Sequence, residues 1–208
     1  FIPIWEDGCM DNQQSKENFH QLLFSVNSPT RKYELENLYD FLERTDFFKA
    51  PASSNYHGNY EGGLVEHSLN VYRNLKMLHR LYESEIPYIS KDSMIVAALL
   101  HDVCKINFYK SGTKNIKNEE TGQWEKQSCY FIEDQVPLGH GEKSVIILQQ
   151  YITLTSDEIY AIRWHMGGFD DTAKSWAGGL ALSSAMGKCP LLALLHMADL
   201  ATNYISKV

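Results

Sequence analysis

The stretch from Ala97 to Lys105 constrains the fold more than any other part of the sequence. Four apolar residues, Ala-Ala-Leu-Leu, end abruptly at His101 and Asp102, and Lys105 follows one helical turn later. Such a run suits a buried helix, yet burying a charge without a partner costs several kcal/mol. The sequence therefore predicts a buried helix that ends in a binding site, and a metal ion is the obvious ligand for a His-Asp pair.

The composition is that of an ordinary folded domain. The 208 residues are enough for one substantial core and no linker divides them, so we expect a single domain over residues 1–208. No stretch approaches the roughly 20 apolar residues of a membrane span. The net charge of -7 disfavours sequence-blind binding to a nucleic-acid backbone, although a bound metal would still attract a nucleotide or another small anion. The four cysteines form no CxxC pair, which favours a reducing, cytoplasmic location.

The hydrophobic periodicity predicts a mostly helical chain. Two helices, Ser15 to Val26 and Pro29 to Leu42, are expected to frame the fold. A loop with several glycines then leads into a long helix from about Leu64 to Tyr82. The apolar run forms the next helix, Ser93 to Asp102, which we expect to be the central element.

The helical period is lost between about residues 106 and 137. Aromatic residues flank the polar sequence Asn118 to Gly122 in this region, which is typical of a β-hairpin or an ordered flap. Helices return afterwards, and Thr155 with Glu158 has the pattern of a capping box for one of them. The later helices are expected at about 139–151, 155–165, 172–186 and 190–205.

Six side chains that commonly bind metals fall on these helices or at their ends. A helix holds a ligand more rigidly than a loop does. His101 and Asp102 cannot share one face within a helix, but both can turn toward one centre at a frayed helix end. Four imidazoles and two carboxylates are enough for two divalent ions with one carboxylate as a bridge. The six residues are His67, His101, Asp102, His140, His165 and Asp199.

The order and spacing of these residues resemble the HD superfamily of metal-dependent phosphohydrolases, whose pattern is H...HD...H...H...D on a bundle of helices. Local sequences are also similar to the HD domain of a bacterial 3′-to-5′ exoribonuclease. They are Pro51-Ala52, Tyr56-His57, Gly62-Gly63-Leu64-Val65-Glu66-His67-Ser68-Leu69 and Leu99-Leu100-His101-Asp102-Val103-Cys104-Lys105. The resemblance implies an all-α HD-domain bundle with peripheral helices at about 11–45, a metal-binding core at about 51–205 and a small inserted hairpin at about 106–137.

The resemblance also implies a role for each ligand. The first divalent ion would be held by His67, His101, Asp102 and Asp199. Asp102 would bridge to a second ion held by His140 and His165. One or two ions among Mn2+, Fe2+, Ni2+, Co2+ and Mg2+ would activate a hydroxide that attacks a phosphate ester. A one-metal site formed by the first four residues is the main rival.

Four further residues are candidates for contact with a substrate or a ligand. Lys105 resembles the lysine that follows the HD pair in this family, and it would either stabilise a phosphate oxygen as charge develops or act as a helix-end cation. His57 matches the family lead-in, as a substrate contact or as support for the ligands. Arg163 would reach a substrate phosphate or form a surface ion pair. Glu66 would orient a ligand or remain a solvated helix residue.

These features predict a phosphohydrolase that acts on a nucleotide or a short nucleic-acid end. Long nucleic acid is not expected, because no strand-rich oligonucleotide-binding segment precedes the domain. Met166 stands where close relatives of the exoribonuclease carry a second histidine, and a thioether is a poor ligand for a hard third ion. An HD-type di-iron oxygenase, which uses the same six ligands, is the alternative function. A regulatory module without turnover is a third.

Overall fold

The computed structural model describes residues 11–56, 58–119 and 121–206. Within them the chain forms eight α-helices and one two-stranded hairpin, which confirms the predicted all-α bundle with an inserted hairpin. The helices are α1 (Asn12–Leu23), α2 (Pro29–Arg44), α3 (Gly63–Tyr82), α4 (Lys91–Leu100), α5 (His140–Leu148), α6 (Ser156–Trp164), α7 (Trp176–Lys188) and α8 (Pro190–Tyr204). The strands are β1 (Tyr109–Lys117) and β2 (Trp124–Ile132).

Helix α4 is the centre of the bundle, as its apolar run predicts. Every residue from Ser93 to Leu100 is buried, and α4 packs against α1, α3, α6 and α8. Burying a leucine side chain contributes about 1.5–3 kcal/mol, so this run alone fixes the position of the helix. The helix ends at Leu100, and Val103–Lys105 forms a separate 3-10 turn. His101 and Asp102 therefore lie at a helix end, where both can face one centre.

Side-chain hydrogen bonds cap the starts of two of the described helices, α6 and α7. Thr155 and Glu158 form the predicted capping box, since the Thr155 hydroxyl accepts from the Glu158 N–H and the Glu158 carboxylate accepts from the Thr155 N–H. Helix α7 begins at Trp176 rather than at the predicted Thr172, because the Ser175 hydroxyl caps it by accepting from the Gly178 N–H.

The hairpin projects from the bundle between α4 and α5. Tyr109 pairs with Ile132 and Lys117 with Trp124, and most side chains of both strands are exposed. At its base the Glu133 N–H donates to the Phe108 carbonyl. The Phe108 ring lies 6.2 Å from the His140 ring, so the base of the hairpin borders the ligands at the start of α5.

A buried ion pair connects α2 to α6. The Arg31 guanidinium donates to both carboxylate oxygens of Glu158, at 2.8 and 2.6 Å, and to the Thr153 carbonyl at 2.8 Å. The Glu158 side chain is fully buried. This pair anchors a peripheral helix to the helix that ends at His165.

The described cysteines Cys104, Cys129 and Cys189 are free thiols, and Cys9 lies outside the described residues. In the described part of the chain, no single helix is long and apolar enough to cross a membrane. The α7–α8 pair meets that test of length and composition only as two helices bent by 106°.

Candidate metal centre

The six predicted ligands come from five separate elements that meet at one end of α4. His67 lies on α3, four residues after Gly63, and Asp199 lies within α8. His101 and His165 directly follow α4 and α6, and His140 is the first residue of α5. The sequence predicted these placements from helical periodicity, and the resemblance to the HD superfamily predicted that the six side chains converge on one centre.

Two glycines allow these elements to begin where they do. Gly62 precedes α3 with φ of 85°, a left-handed conformation that other residues rarely adopt. Gly141, beside His140, faces the Arg163 carbonyl so closely that a Cβ atom would overlap it. The start of α5 therefore lies directly against the end of α6, which brings His140 near His165.

One side of the centre is formed by α3, α4 and α8. The His67 Nε2 atom lies 3.3 Å from His101 Nε2, 3.2 Å from Asp199 Oδ1 and 3.7 Å from Asp102 Oδ2. His101 Nε2 is itself 3.4 Å from Asp102 Oδ2. These four side chains are all buried, so their nitrogens and oxygens converge in a place with little access to water.

The other side is formed by α5 and α6. Asp102 Oδ1 lies 3.5 Å from His140 Nε2 and 3.6 Å from His165 Nε2. The two oxygens of Asp102 thus face different pairs of histidines. His140 has the most exposed side chain of the six, at 31%, so the centre opens to solvent on this side.

The tautomers of two histidines leave a lone pair facing the centre. His101 Nδ1 lies 2.9 Å from the Ala98 carbonyl and His165 Nδ1 lies 2.8 Å from the Ile162 carbonyl. Because a carbonyl oxygen only accepts, both Nδ1 atoms must donate, and the neutral rings direct an unprotonated Nε2 inward. His165 Nε2 and Asp102 Oδ1 are buried without a hydrogen-bond partner among the described residues. Buried lone pairs that face one centre without a hydrogen-bond partner fit a divalent cation.

The charges around Asp102 also favour a cation. Burial alone would raise the pKa of Asp102, but Lys105 and the neighbouring histidines hold it well below the ordinary value. Burial likewise opposes the protonation of His140, yet the nearby Asp102 carboxylate and Cys104 raise its pKa to about 10. Positive charge is therefore stabilised where the carboxylate faces the histidines.

On the first side of the centre, the pKa values of His101 and Asp199 are both lowered, for different reasons. Burial lowers the pKa of His101 despite the adjacent carboxylate, which favours the neutral ring that a metal requires. Burial would raise the pKa of Asp199, but the hydrogen bond to His67 lowers it, so this carboxylate stays ionised. Both groups are thus in the protonation state of a ligand at neutral pH.

The structure places the predicted substrate residues in defined contacts. Lys105 Nζ lies 2.7 Å from Asp102 Oδ2 and donates to the Ala52 carbonyl at 2.6 Å. The Arg163 guanidinium pairs with Glu142 and, at 2.7 Å, with Asp170. Contact of either cation with a substrate phosphate stays a prediction, and for Arg163 it would require one of these pairs to open. His57 lies outside the described residues.

Sequence reasoning did not single out Cys104 as part of the centre. A ligand atom of Cys104 lies within 4.8 Å of one from Asp102 and one from His140, and the residue is buried. The available signal was its position, two residues after Asp102. Glu66 is also buried rather than solvated, since only 3% of it is exposed and its Oε2 accepts from the Tyr60 hydroxyl at 2.8 Å.

The HD-domain family model matches residues 64–203, a range that contains all six ligands. The chain belongs to the HD-domain family. Membership confirms the predicted enzyme class, the HD-type phosphohydrolases, and the buried His-Asp cluster is the part of this HD domain suited to a divalent metal.

The HD domain is also similar to a dihydroneopterin 2′,3′-cyclic phosphate phosphodiesterase of Methanocaldococcus jannaschii. The two are 47% identical over 58 residues, which are 27% of this chain and 23% of the relative. The match thus spans about a quarter of the relative's length. This relative is named for a small cyclic phosphate, so it does not support the closer resemblance to an exoribonuclease. No solved structure matches the chain significantly.

Proposed function

We propose that this HD-domain protein hydrolyses a small phosphodiester, with two divalent ions held by the six predicted ligands. The observation that carries the proposal is the orientation of Asp102. Its Oδ2 atom faces His67 and His101, whereas its Oδ1 atom faces His140 and His165. A carboxylate with one oxygen toward each group of histidines suits a bridge between two ions.

The ligands divide between the two ions accordingly. The first would be held by His67, His101, Asp199 and Asp102 Oδ2, and the second by His140, His165 and Asp102 Oδ1. Bound divalent ions supply a Lewis acid for the phosphoryl oxygens and lower the pKa of a coordinated water toward neutrality. Cys104 adjoins the second set and offers a softer donor that favours Mn2+, Fe2+, Co2+ or Ni2+ over Mg2+.

Other groups of the chain orient these ligands. Lys105 donates to Asp102 Oδ2 and to the Ala52 carbonyl, so it fixes the plane of the proposed bridging carboxylate. The Lys105 side chain is 13% exposed, and its ammonium can also attract a phosphate oxygen that approaches Asp102. The carbonyls of Ala98 and Ile162 fix the rings of His101 and His165.

The substrate is proposed to be small and phosphorylated. The relative's name specifies a cyclic phosphate of a pterin, and a cyclic phosphate is a phosphodiester within one small molecule. The net charge of -7 is unfavourable for a long polyanion. A cyclic phosphodiester of a nucleoside or pterin therefore ranks first, and a nucleotide monoester or a short nucleic-acid end comes next.

A hydrolysis panel with added Mn2+ tests this function. We expect turnover of bis(p-nitrophenyl) phosphate and faster turnover of neopterin 2′,3′-cyclic phosphate or a nucleoside 2′,3′-cyclic phosphate. Protein that binds fewer than two Mn2+ ions per chain would contradict the two-ion site. Oxygen uptake without phosphate-ester cleavage would contradict hydrolysis and support the di-iron oxygenase, which uses the same donors.

A further inference from the structure

Cys104 is buried beside the metal centre, in the 3-10 turn that follows α4. A buried cysteine usually packs as a small apolar side chain. Cys104, however, is not among the described residues that form the hydrophobic core, whereas its neighbours Val103 and Ile106 belong to that core. The burial of this thiol is therefore not explained by apolar packing.

The polar neighbours of Cys104 are two of the six ligands. A ligand atom from each of Asp102, Cys104 and His140 lies within 4.8 Å of the other two. Two ligands of one tetrahedral ion lie about 3.5 Å apart, because metal–ligand distances are about 2.0–2.3 Å. Asp102 Oδ1 and His140 Nε2 already have this spacing, at 3.5 Å. The sulfur is at most about 1.3 Å beyond it, a distance that rotation about the Cα–Cβ bond can cover.

The carboxylate in this group of three still requires a cation. Asp102 Oδ1 is buried without a hydrogen-bond partner among the described residues, although it faces His140. Leaving a buried charged acceptor unsatisfied costs more than the 1–3 kcal/mol typical of a neutral group. The His140 side chain is 31% exposed, so an ion has a route from solvent to this oxygen and to the sulfur beside it.

The main chain holds Cys104 against the start of α5. The Cys104 N–H donates to the Ser144 hydroxyl at 3.2 Å, and both residues are buried. Ser144 lies four residues after His140, so the two side chains share one face of α5. The thiol and the His140 imidazole are thereby kept on the same side of the centre.

We propose that the Cys104 sulfur is a thiolate ligand of the second ion, beside Asp102 Oδ1 and His140. The inference rests on the proposed function, because it completes the second ion site of that function. The metal–sulfur bond forms as the S–H bond breaks, and the proton leaves to solvent. The first ion has only nitrogen and oxygen ligands in its proposed set. The second site should therefore prefer Co2+ or Zn2+ over Mn2+ more strongly than the first site does.

Cobalt tests the proposal, because its spectrum reports a sulfur ligand directly. The protein loaded with two Co2+ ions per chain should show a thiolate-to-cobalt charge-transfer band in the near ultraviolet, which nitrogen and oxygen ligands do not produce. Cys104→Ser should lose this band. Cys129→Ser should keep it and is the matched control, since Cys129 is also a buried free thiol but belongs to no metal-ligating group among the described residues.

Metal affinity separates ligation from packing. Equilibrium dialysis measures the binding of Co2+ and of Mn2+ to each protein. In Cys104→Ser the affinity for the second Co2+ should fall at least about tenfold, and the affinity for the second Mn2+ should fall less, since a hydroxyl oxygen suits the harder ion. Equal weakening of both ions would show a packing role only and would overturn the inference. Cys104→Ala, which suits an apolar site, gives the same comparison if the serine variant does not fold.

The wild-type spectrum separates this inference from the proposed function. Absence of the band in the Co2+-loaded protein, or a band that persists without Cys104, overturns the inference. If the Mn2+-loaded protein nevertheless hydrolyses bis(p-nitrophenyl) phosphate, the proposed function stands. A band that depends on Cys104 in a protein without phosphodiesterase activity supports the thiolate ligand and refutes the proposed function.

Discussion

Two buried charged clusters of this HD domain differ in how their polar atoms are satisfied. In the Arg31–Glu158 pair, both carboxylate oxygens accept from the guanidinium, and the Thr155 N–H donates to one of them. In the metal centre, Asp102 Oδ1 and His165 Nε2 have no hydrogen-bond partner among the described residues. Both clusters are enclosed, so burial alone does not distinguish them.

The difference indicates that the Arg31–Glu158 pair stabilises the fold, whereas the metal centre keeps polar atoms available for a ligand. A fully hydrogen-bonded buried pair has no hydrogen-bonding capacity left for a ligand. Removal of one partner leaves the other charge buried and uncompensated. A cluster of inward-facing lone pairs needs a cation before its electrostatic energy is favourable. Substitutions in the metal centre should therefore lower activity, whereas substitutions in the Arg31–Glu158 pair should lower the free energy of unfolding.

The largest effect is expected for Asp102→Asn. The amide keeps the size of the side chain but cannot bridge two cations as a charged ligand, so turnover should fall at least about 1,000-fold. Initial rates on the best phosphodiester, with Mn2+ content per chain, measure the change. Asp40→Asn, an exposed aspartate on α2, should leave both values unchanged. Activity within tenfold of wild type in Asp102→Asn would refute the bridging role.

The next effect concerns stability rather than catalysis. Arg31→Met leaves the fully buried Glu158 carboxylate without its cation and should lower the free energy of unfolding by about 3–5 kcal/mol. Urea denaturation measures the change, with the exposed neighbour Lys32→Met as the control. Mn2+ bound per folded molecule should stay the same. Loss of the metal in Arg31→Met would show that the two clusters are coupled.

Removal of the metal gives a smaller effect on stability. At an ion concentration one hundredfold above the dissociation constant, binding to the folded state contributes about 2.7 kcal/mol. For a chain of this size, chelation should therefore lower Tm by about 5–10 °C. The shift should be reversed by Mn2+ and greatly reduced in Asp102→Asn. An equal shift in both proteins would mean that the ions stabilise the fold at another site.

The smallest effect is a pH dependence of the structural pair. Burial would raise the pKa of Glu158, but hydrogen bonds from Arg31 and the Thr155 N–H lower it below its ordinary value of 4.5. A lowered acid pKa stabilises the folded state above pH 4.5, and this stabilisation is lost as the pH falls through the folded value. The difference in unfolding free energy between wild type and Arg31→Met should therefore shrink below pH 4.5. A constant difference down to pH 3 would contradict this linkage.

The sequence predicts those features whose cause is local. The apolar run before His101 predicts a buried helix, and the Thr155–Glu158 pattern predicts a helix start, because each depends on residues within a turn or two. The six ligands could be identified because their order along the sequence matches the HD-superfamily pattern. The Arg31–Glu158 pair, 127 residues apart, has no local signal, since it depends on how α2 packs beside α6.

The same reason explains why the surroundings of single residues could not be predicted. Solvation was an open alternative for Glu66, which is buried and accepts a hydrogen bond from Tyr60, in the loop before α3. The contact of Lys105 with the Ala52 carbonyl joins segments 53 residues apart. Tertiary packing determines such contacts, and the hydrophobic periodicity of the sequence carries no information about them.

The close approach of Gly141 to the Arg163 carbonyl makes the spacing of His140 and His165 a property of the main chain. Even one methyl group at position 141 would push the two helices apart. The spacing of these two imidazoles is thus determined by the smallest side chain in this part of the protein.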